Sequence, residues 1–325
     1  MAMEGELMTR RALVVGCGGT IGGAWSVAAV HALAERLAWD PREASIVQGT
    51  SAGAELATML GAGFGVDELV DMHRGRPVDS RLAAHRGSVP PGMPPLPGVI
   101  LPKVGTLGRR GGHRRWTGVA PRGGGDAGWL DRLATSVCAP GSEWLGREGV
   151  RLVAYGVGDN RRVAFTGPGE PSGNAHVSTA ATLSEALRAS WAIPGWMPYV
   201  EIDGETYADG GAASTASVDL IGEDEADEIY VIASMAGLGD VRGPGLGGVV
   251  EAALLRRPIS RVLRREVEQV RRRGTRVVVV SPSAPELAAL GPNFMDRRRR
   301  EAAFASAMES TGAAVDAALE EGYAA

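Results

Sequence analysis

The sequence predicts an α/β protein with a mainly parallel central sheet. Two short apolar runs, 11–16 and 45–49, read as buried strands, and each of them ends in glycine. Apolar residues at helical spacing follow each run, over 24–37 and 54–60. Strands that alternate with helices in this way form parallel sheets, because each helix carries the chain back across one face of the sheet.

Later segments extend this pattern. Apolar runs predict four further strands, at 150–155, 162–166, 228–233 and 275–280. Helical spacing predicts helices at 129–137, at 178–191, at about 249–272 and at about 295–321. Asp203-Gly204 lies between two short runs and predicts a β-hairpin. We find no internal repeat, and we expect residues 8–325 to form a single domain.

Residues 75–127 interrupt the pattern. Prolines cluster between 90 and 102, and glycines cluster further along. This composition predicts an irregular insertion rather than helices or strands. The segment also combines apolar residues with Lys103, several arginines and Trp116, a mixture that can lie at an anionic membrane surface. A solvated linker is the alternative interpretation.

Composition limits the classes of function. The 325 residues are 44% apolar and 22% charged, with a net charge of -4, so no overall positive charge points to nucleic acid. Cys17 and Cys138 are too few for a disulfide framework and lack metal-ligand spacing. We see neither a signal-peptide core nor an apolar run of transmembrane length. We therefore expect a cytoplasmic protein, or one peripheral to a membrane, and the oligomeric state stays open.

The clearest functional signal is Gly49-Thr50-Ser51-Ala52-Gly53, a Gly-x-Ser-x-Gly motif between a predicted strand and a predicted helix. This order is typical of a nucleophile elbow, a strained turn that exposes the serine hydroxyl above the sheet. The N-terminus of the following helix would favour negative charge beside Ser51. A turn that only caps the helix is the alternative. No other serine has this pattern, and Ser51 lies between a predicted strand and a predicted helix, which favours the elbow.

A serine nucleophile needs a base. The candidates of the usual type are five histidines, His31, His73, His85, His113 and His176. Because none follows residue 176, the chain lacks the late histidine of an α/β-hydrolase triad, which runs Ser, acid, His. It instead has Asp209-Gly210-Gly211 after a short predicted strand. Alone, Asp-Gly-Gly would be interpreted as an ordinary turn.

A glycine loop follows the first predicted strand. Its candidate functional residues are Cys17, Gly18, Gly19 and Gly22. A dinucleotide-binding loop would need an acidic residue at the end of the second strand, where this chain has Gln48. With Gly-x-Ser-x-Gly and the late Asp-Gly-Gly, the loop makes the chain resemble the patatin-like phospholipases, serine lipid acyl hydrolases with a Ser-Asp dyad. The resemblance covers about the first 60 residues and about 178–220.

This resemblance implies a three-layer patatin-like fold in which Ser51 is the nucleophile and Asp209 is the base. It also implies an oxyanion hole of backbone amides around Gly18 and Gly19, which would stabilise the negative oxygen of the intermediate. The implied substrate is a lipid ester, and the implied mechanism needs no metal and no cofactor. The family usually has a basic residue where this chain has Ile21, which puts recognition of anionic headgroups in doubt.

Three functional hypotheses follow from the sequence. The first is a hydrolase that cleaves phospholipid or acylglycerol esters through an acyl-enzyme. The second is an acyltransferase or a general carboxylesterase that uses the same dyad. The third is a non-catalytic nucleotide or lipid binder that retains the fold. A lid of high proline and glycine content near the Ser51 pocket would suit a lipid hydrolase, which must take its substrate from an aggregate.

Overall fold

The computed structural model describes residues 9–88, 123–170, 173–239, 241, 243, 256–291 and 293–324. Within these residues, nine strands join in one sheet. They are β1 (Arg11–Val15), β2 (Ile46–Thr50), β3 (Val150–Gly156), β4 (Arg161–Phe165), β5 (Val177–Ser178), β6 (Val200–Ile202), β7 (Glu205–Asp209), β8 (Glu228–Ile232) and β9 (Arg276–Val280). The main order is β5-β4-β3-β2-β1-β8-β9, and β7 pairs with both β6 and β3.

The pairings at the centre of the sheet are parallel. Strand β1 lies between β2 and β8 and runs parallel to both, and the pairs β2–β3 and β8–β9 are also parallel. The antiparallel pairs are β3–β4, β3–β7 and β6–β7. The expectation of a mainly parallel sheet is therefore confirmed.

Helices lie on both faces of this sheet. Those in the described part of the chain are α1 (Gly19–Leu37), α2 (Ala52–Gly61), α3 (Val66–His73), α4 (Ser80–Gly87), α5 (Gly128–Val137), α6 (Leu183–Ser190), α7 (Arg257–Arg271), α8 (Ala284–Leu290) and α9 (Arg300–Ala324). Leu13 and Val15 of β1 belong to the core that contains α1, α2 and α9. Ala12 and Val14 belong to a second core that contains α7. Because successive strand residues point to opposite faces, two cores on one sheet make three layers.

Strand β3 pairs with two strands along one of its edges. Its first half runs parallel to β2, with Thr50 opposite Val153, and its second half runs antiparallel to β7, with Asp209 opposite Ala154. The other edge is occupied by β4 over residues 152–156. The C-terminal ends of β2 and β7 therefore meet at neighbouring positions of β3. This arrangement brings the residue after Thr50 next to Asp209.

Part of the segment expected to be irregular is helical. Helix α4 lies within 75–127, and the Asp79 carboxylate accepts a hydrogen bond from the Arg81 amide at its start. This capping residue favours a helix at this point, although the proline and glycine content of the whole segment predicts irregular structure. Residues 89–122, which include the predicted membrane contact, lie outside the described residues.

Helix α6 starts later than the predicted residue 178. The Thr182 hydroxyl accepts a hydrogen bond from the Glu185 amide, and the Glu185 carboxylate accepts one from the Thr182 amide. This capping box fixes the start at Leu183, while Val177–Ser178 pairs with β4 instead. No helix within the described ranges is both long and apolar enough to cross a membrane.

Candidate active site

Ser51 lies in the turn between β2 and α2 and has the backbone geometry of a nucleophile elbow. Its φ of 57° and ψ of -119° place a non-glycine residue at positive φ, which is a strained conformation. A side chain at Gly49 would overlap the carbonyl of Gly53, and one at Gly53 would overlap the carbonyl of Val15. The two glycines of the motif are therefore required by close backbone packing.

Asp209, the last residue of β7, lies beside this serine. The Ser51 hydroxyl is close enough to the Asp209 carboxylate to act on its pKa, and the carboxylate Oδ1 accepts a hydrogen bond from the Gly211 amide at 2.7 Å. Asp209 is only 4% exposed, and this burial raises its pKa from 3.8 to about 7, although the Gly211 amide and the Ser51 hydroxyl oppose the rise. A carboxylate with this pKa can accept a proton near neutral pH.

The Asp-Gly-Gly motif also packs against the end of the elbow strand. A side chain at Gly210 would lie 2.8 Å from the Val153 carbonyl oxygen and 3.1 Å from the Thr50 side chain. One at Gly211 would lie 3.0 Å from the Cys17 thiol. The motif thus contacts β2, β3 and the glycine loop together, which ordinary surface turns do not do.

Some backbone amides of the glycine loop donate hydrogen bonds within the protein, and others are free to bind a ligand. Cys17 donates its amide hydrogen to the Thr215 carbonyl at 2.8 Å, and Gly22 donates to the Gly18 carbonyl at 2.9 Å. Within the described part of the chain, the amides of Gly18 and Gly19 have no acceptor. Gly19 has a φ of 56° and starts α1. Its free amide and that of Gly18 lie at a helix N-terminus, a favourable place for a negative oxygen.

Ile21 faces the protein interior. Its side chain is completely buried in the larger core, and its amide donates to the Phe294 carbonyl at 3.0 Å. This position therefore presents no charge toward a substrate. A basic side chain at position 21 would have to leave that core to reach the site.

Ser190 contacts the elbow, although the sequence did not single it out. It ends α6, and its hydroxyl oxygen accepts a hydrogen bond from the Ser51 amide at 2.8 Å. The same hydroxyl donates to the Val153 carbonyl at 2.8 Å. Two residues further along, the Ala192 carbonyl accepts a hydrogen bond from the Asp209 amide at 3.0 Å. The resemblance did include this stretch, but no local pattern there indicates contact with a serine.

A cavity beside the elbow contains further ionisable groups. Its walls include Gly19, Ala52, Glu55, His73, His85 and Arg300. His85 Nε2 lies 2.9 Å from the Glu55 carboxylate, and Arg300 Nη2 lies 3.3 Å from His73 Nδ1. Burial, with the nearby charge of Arg300, lowers the pKa of His73. In the sequence, His73 lies just before the segment 75–127 and His85 lies within it, and only the fold brings them beside the elbow.

No histidine of the described ranges bonds to Ser51 or Asp209. His31 lies beside Glu35 and Asp67 on the outer side of α1, and His176 is exposed. His113 lies outside the described residues. Among the residues that are described, no cluster of three or more histidine, cysteine, aspartate or glutamate side chains could hold a metal ion.

A strained serine beside a buried carboxylate, with free amides nearby at a helix N-terminus, is an arrangement that serine hydrolases use. A family model described as patatin-like phospholipase matches residues 13–220, which contain all three motifs. The chain therefore belongs to the patatin-like phospholipase family. Membership of this family supports lipid acyl hydrolase activity in general.

Other comparisons are less informative. No curated protein matches the chain. The crystal structure of VipD from Legionella pneumophila is similar over 95% of this chain and 67% of that chain, with 14% sequence identity and a TM-score of 0.44. A likeness at this level carries no argument about activity, so the assignment rests on the family model.

The burial of Asp209 predicts a cost in stability that depends on pH. Because its pKa is about 7 in the folded protein and near 3.8 when unfolded, the free energy of unfolding should fall between pH 4 and pH 7. Asp209→Asn lacks this titration. We expect the melting temperature of the variant, relative to wild type, to be higher by several degrees at pH 8 than at pH 4.5. If the melting temperatures of variant and wild type differ by the same amount at both pH values, the pKa of the buried Asp209 carboxyl group is not raised.

Proposed function

We propose that this protein is a serine acyl hydrolase that cleaves a phospholipid or acylglycerol ester through an acyl-enzyme. The observation that carries the proposal is the placement of the buried Asp209 carboxylate beside the hydroxyl of Ser51, which lies in a strained elbow. The family of the chain supports a lipid acyl group as the substrate.

In the first half of the proposed reaction, the Ser51 oxygen attacks the ester carbonyl carbon while Asp209 accepts the serine proton. The carbonyl oxygen becomes negative, and the amides of Gly18 and Gly19 donate hydrogen bonds to it. Each such donor is typically worth about 3 kcal/mol in the transition state. The intermediate then collapses, the alcohol leaves with the proton from Asp209, and the acyl group stays on Ser51.

In the second half, a water molecule attacks the acyl-enzyme. Asp209 accepts a proton from this water, and the same amides stabilise the second negative oxygen. Collapse of this intermediate returns the proton to Ser51 and releases the fatty acid. Every proton transfer in both halves passes through one carboxyl group, so no histidine is needed.

The two other hypotheses fit the site to different degrees. An acyltransferase or general carboxylesterase would use the same groups with another acceptor or another ester. A non-catalytic binder would gain nothing from strain at Ser51 or from a buried carboxylate beside its hydroxyl. Cytoplasmic location and contact with anionic membranes stay predictions, and the segment predicted to make that contact lies outside the described residues.

Replacement of the nucleophile tests the proposal directly. Ser51→Ala removes one hydroxyl from the site and should abolish both ester hydrolysis and covalent labelling by a fluorophosphonate probe. Ser184→Ala is a matched control, because Ser184 lies on α6 and bonds to Asp131 at a distance from the elbow. Labelling of the Ser51→Ala protein at the wild-type rate would refute the assignment.

Replacement of the base should slow the reaction without preventing binding. Asp209→Asn keeps the shape but cannot accept a proton, so kcat should fall by about 10² to 10⁴. The comparison is His85→Gln, which alters the histidine in the neighbouring cavity. An equal or larger loss of kcat in His85→Gln, with Asp209→Asn active, would favour a Ser-His mechanism.

The pKa of Asp209 also predicts the pH dependence of the reaction. The base must be ionised, so kcat/KM on a soluble short-chain ester should rise with pH, reach half its maximum near pH 7 and then level off. The residual activity of Asp209→Asn should lack this inflection. A wild-type profile already flat from pH 5 upwards would show that the base titrates at the ordinary pKa of an aspartate.

A further inference from the structure

The end of β2 creates a gap in the hydrogen bonding of the sheet. Thr50 is the last residue of β2 to pair with β3, and the chain then turns away at Ser51 into α2. The turn leaves the Ser51 amide and the Val153 carbonyl without a direct backbone bond to each other. Both groups are buried, and buried backbone groups that lack partners are strongly destabilising.

The Ser190 hydroxyl fills this gap. It accepts from the Ser51 amide and donates to the Val153 carbonyl, at 2.8 Å in each case. A hydroxyl group can do both at once, because it has one donor hydrogen and two acceptor lone pairs. Ser190 is completely buried, so water cannot readily replace it.

The same short segment also holds the second member of the dyad. The Ala192 carbonyl accepts the hydrogen bond of the Asp209 amide at 3.0 Å. Between the two contacts lies Trp191, which is 1% exposed and packs edge-on against Trp129, with the ring centroids 5.1 Å apart. The segment 190–192 is therefore fixed in the core while it touches the backbone of both Ser51 and Asp209.

We propose that Ser190 is a positioning residue, whose hydroxyl bridge between Ser51 and Val153 holds the strained elbow where Asp209 can accept the serine proton. The inference rests on the proposed function. Ser51 needs such a restraint because positive φ is unfavourable for a residue with a side chain. Without the bridge, the peptide between Thr50 and Ser51 is free to relax, and the hydroxyl moves away from the carboxylate.

The experiment compares Ser190→Ala, Ser190→Cys and Ser190→Thr with wild type. The probes are a fluorophosphonate, for the rate of labelling at Ser51, and a soluble short-chain ester, for kcat and KM. Ser190→Ala deletes the bridge, and Ser190→Cys fills the site with a slightly larger side chain whose thiol bonds only weakly. Ser190→Thr keeps a hydroxyl at this position. Ser184→Ala on the same helix controls for general effects on α6.

We expect labelling rate and kcat to fall about 10²-fold in Ser190→Ala and Ser190→Cys, because small misplacements of reacting groups cost this much. KM should change little, and Ser190→Thr should recover most of kcat. A role confined to stability would instead lower the melting temperature while folded protein kept the wild-type kcat.

The outcomes separate this inference from the proposed function. Wild-type protein that neither labels nor hydrolyses the ester refutes the proposed function and this inference together. Wild-type protein that labels at Ser51, with Ser190→Ala labelling at the same rate, refutes only the positioning role. If Ser190→Ala does not fold, Ser190→Cys decides by the same comparison.

Discussion

The shared edge of β3 is the constraint on which the site depends. Each stretch of a strand edge can pair with only one other strand. Here β2 pairs with the first stretch of β3 and β7 pairs with the second. The two strands approach from opposite directions and stop at Val153 and Ala154. Their ends must therefore meet: Ser51 directly follows the last residue of β2, and Asp209 is the last residue of β7. Two side chains far apart in the sequence are brought next to each other by strand pairing.

This meeting of strand ends has an energetic cost. The hydrogen bonding between β2 and β3 stops where β2 turns away, and the Asp209 carboxyl group is buried. The backbone groups find partners in the Ser190 hydroxyl and the Ala192 carbonyl. Asp209 accepts a hydrogen bond from the Gly211 amide and lies beside the Ser51 hydroxyl, but its pKa is still raised, since these contacts do not offset the loss of solvation. The same burial that lowers stability raises the pKa of Asp209 to near neutral pH.

The glycine loop is held from several sides, and this leaves two amides free. The Thr215 carbonyl takes the Cys17 amide, and the Cys17 carbonyl accepts from the Ser234 hydroxyl at 3.0 Å. Fixed in this way, the loop enters α1 with its first amides unpaired, as at any helix N-terminus. The departure from the family pattern at Ile21 is also explained by packing, because that side chain belongs to the core rather than the site.

The sequence by itself determined the order of the main strands and helices, and the elbow with its glycines. These follow from local constraints: apolar periodicity, close backbone approach and strain within a few residues. Asp209 was a candidate only through the family resemblance, because Asp-Gly-Gly alone predicts an ordinary turn. Only the tertiary structure decided that Asp209 rather than a histidine lies beside Ser51, which loop amides stay free, and that Ser190 bonds to the backbone of the elbow. These facts arise from contacts between distant segments, and from burial that changes a pKa, neither of which any short stretch of sequence encodes.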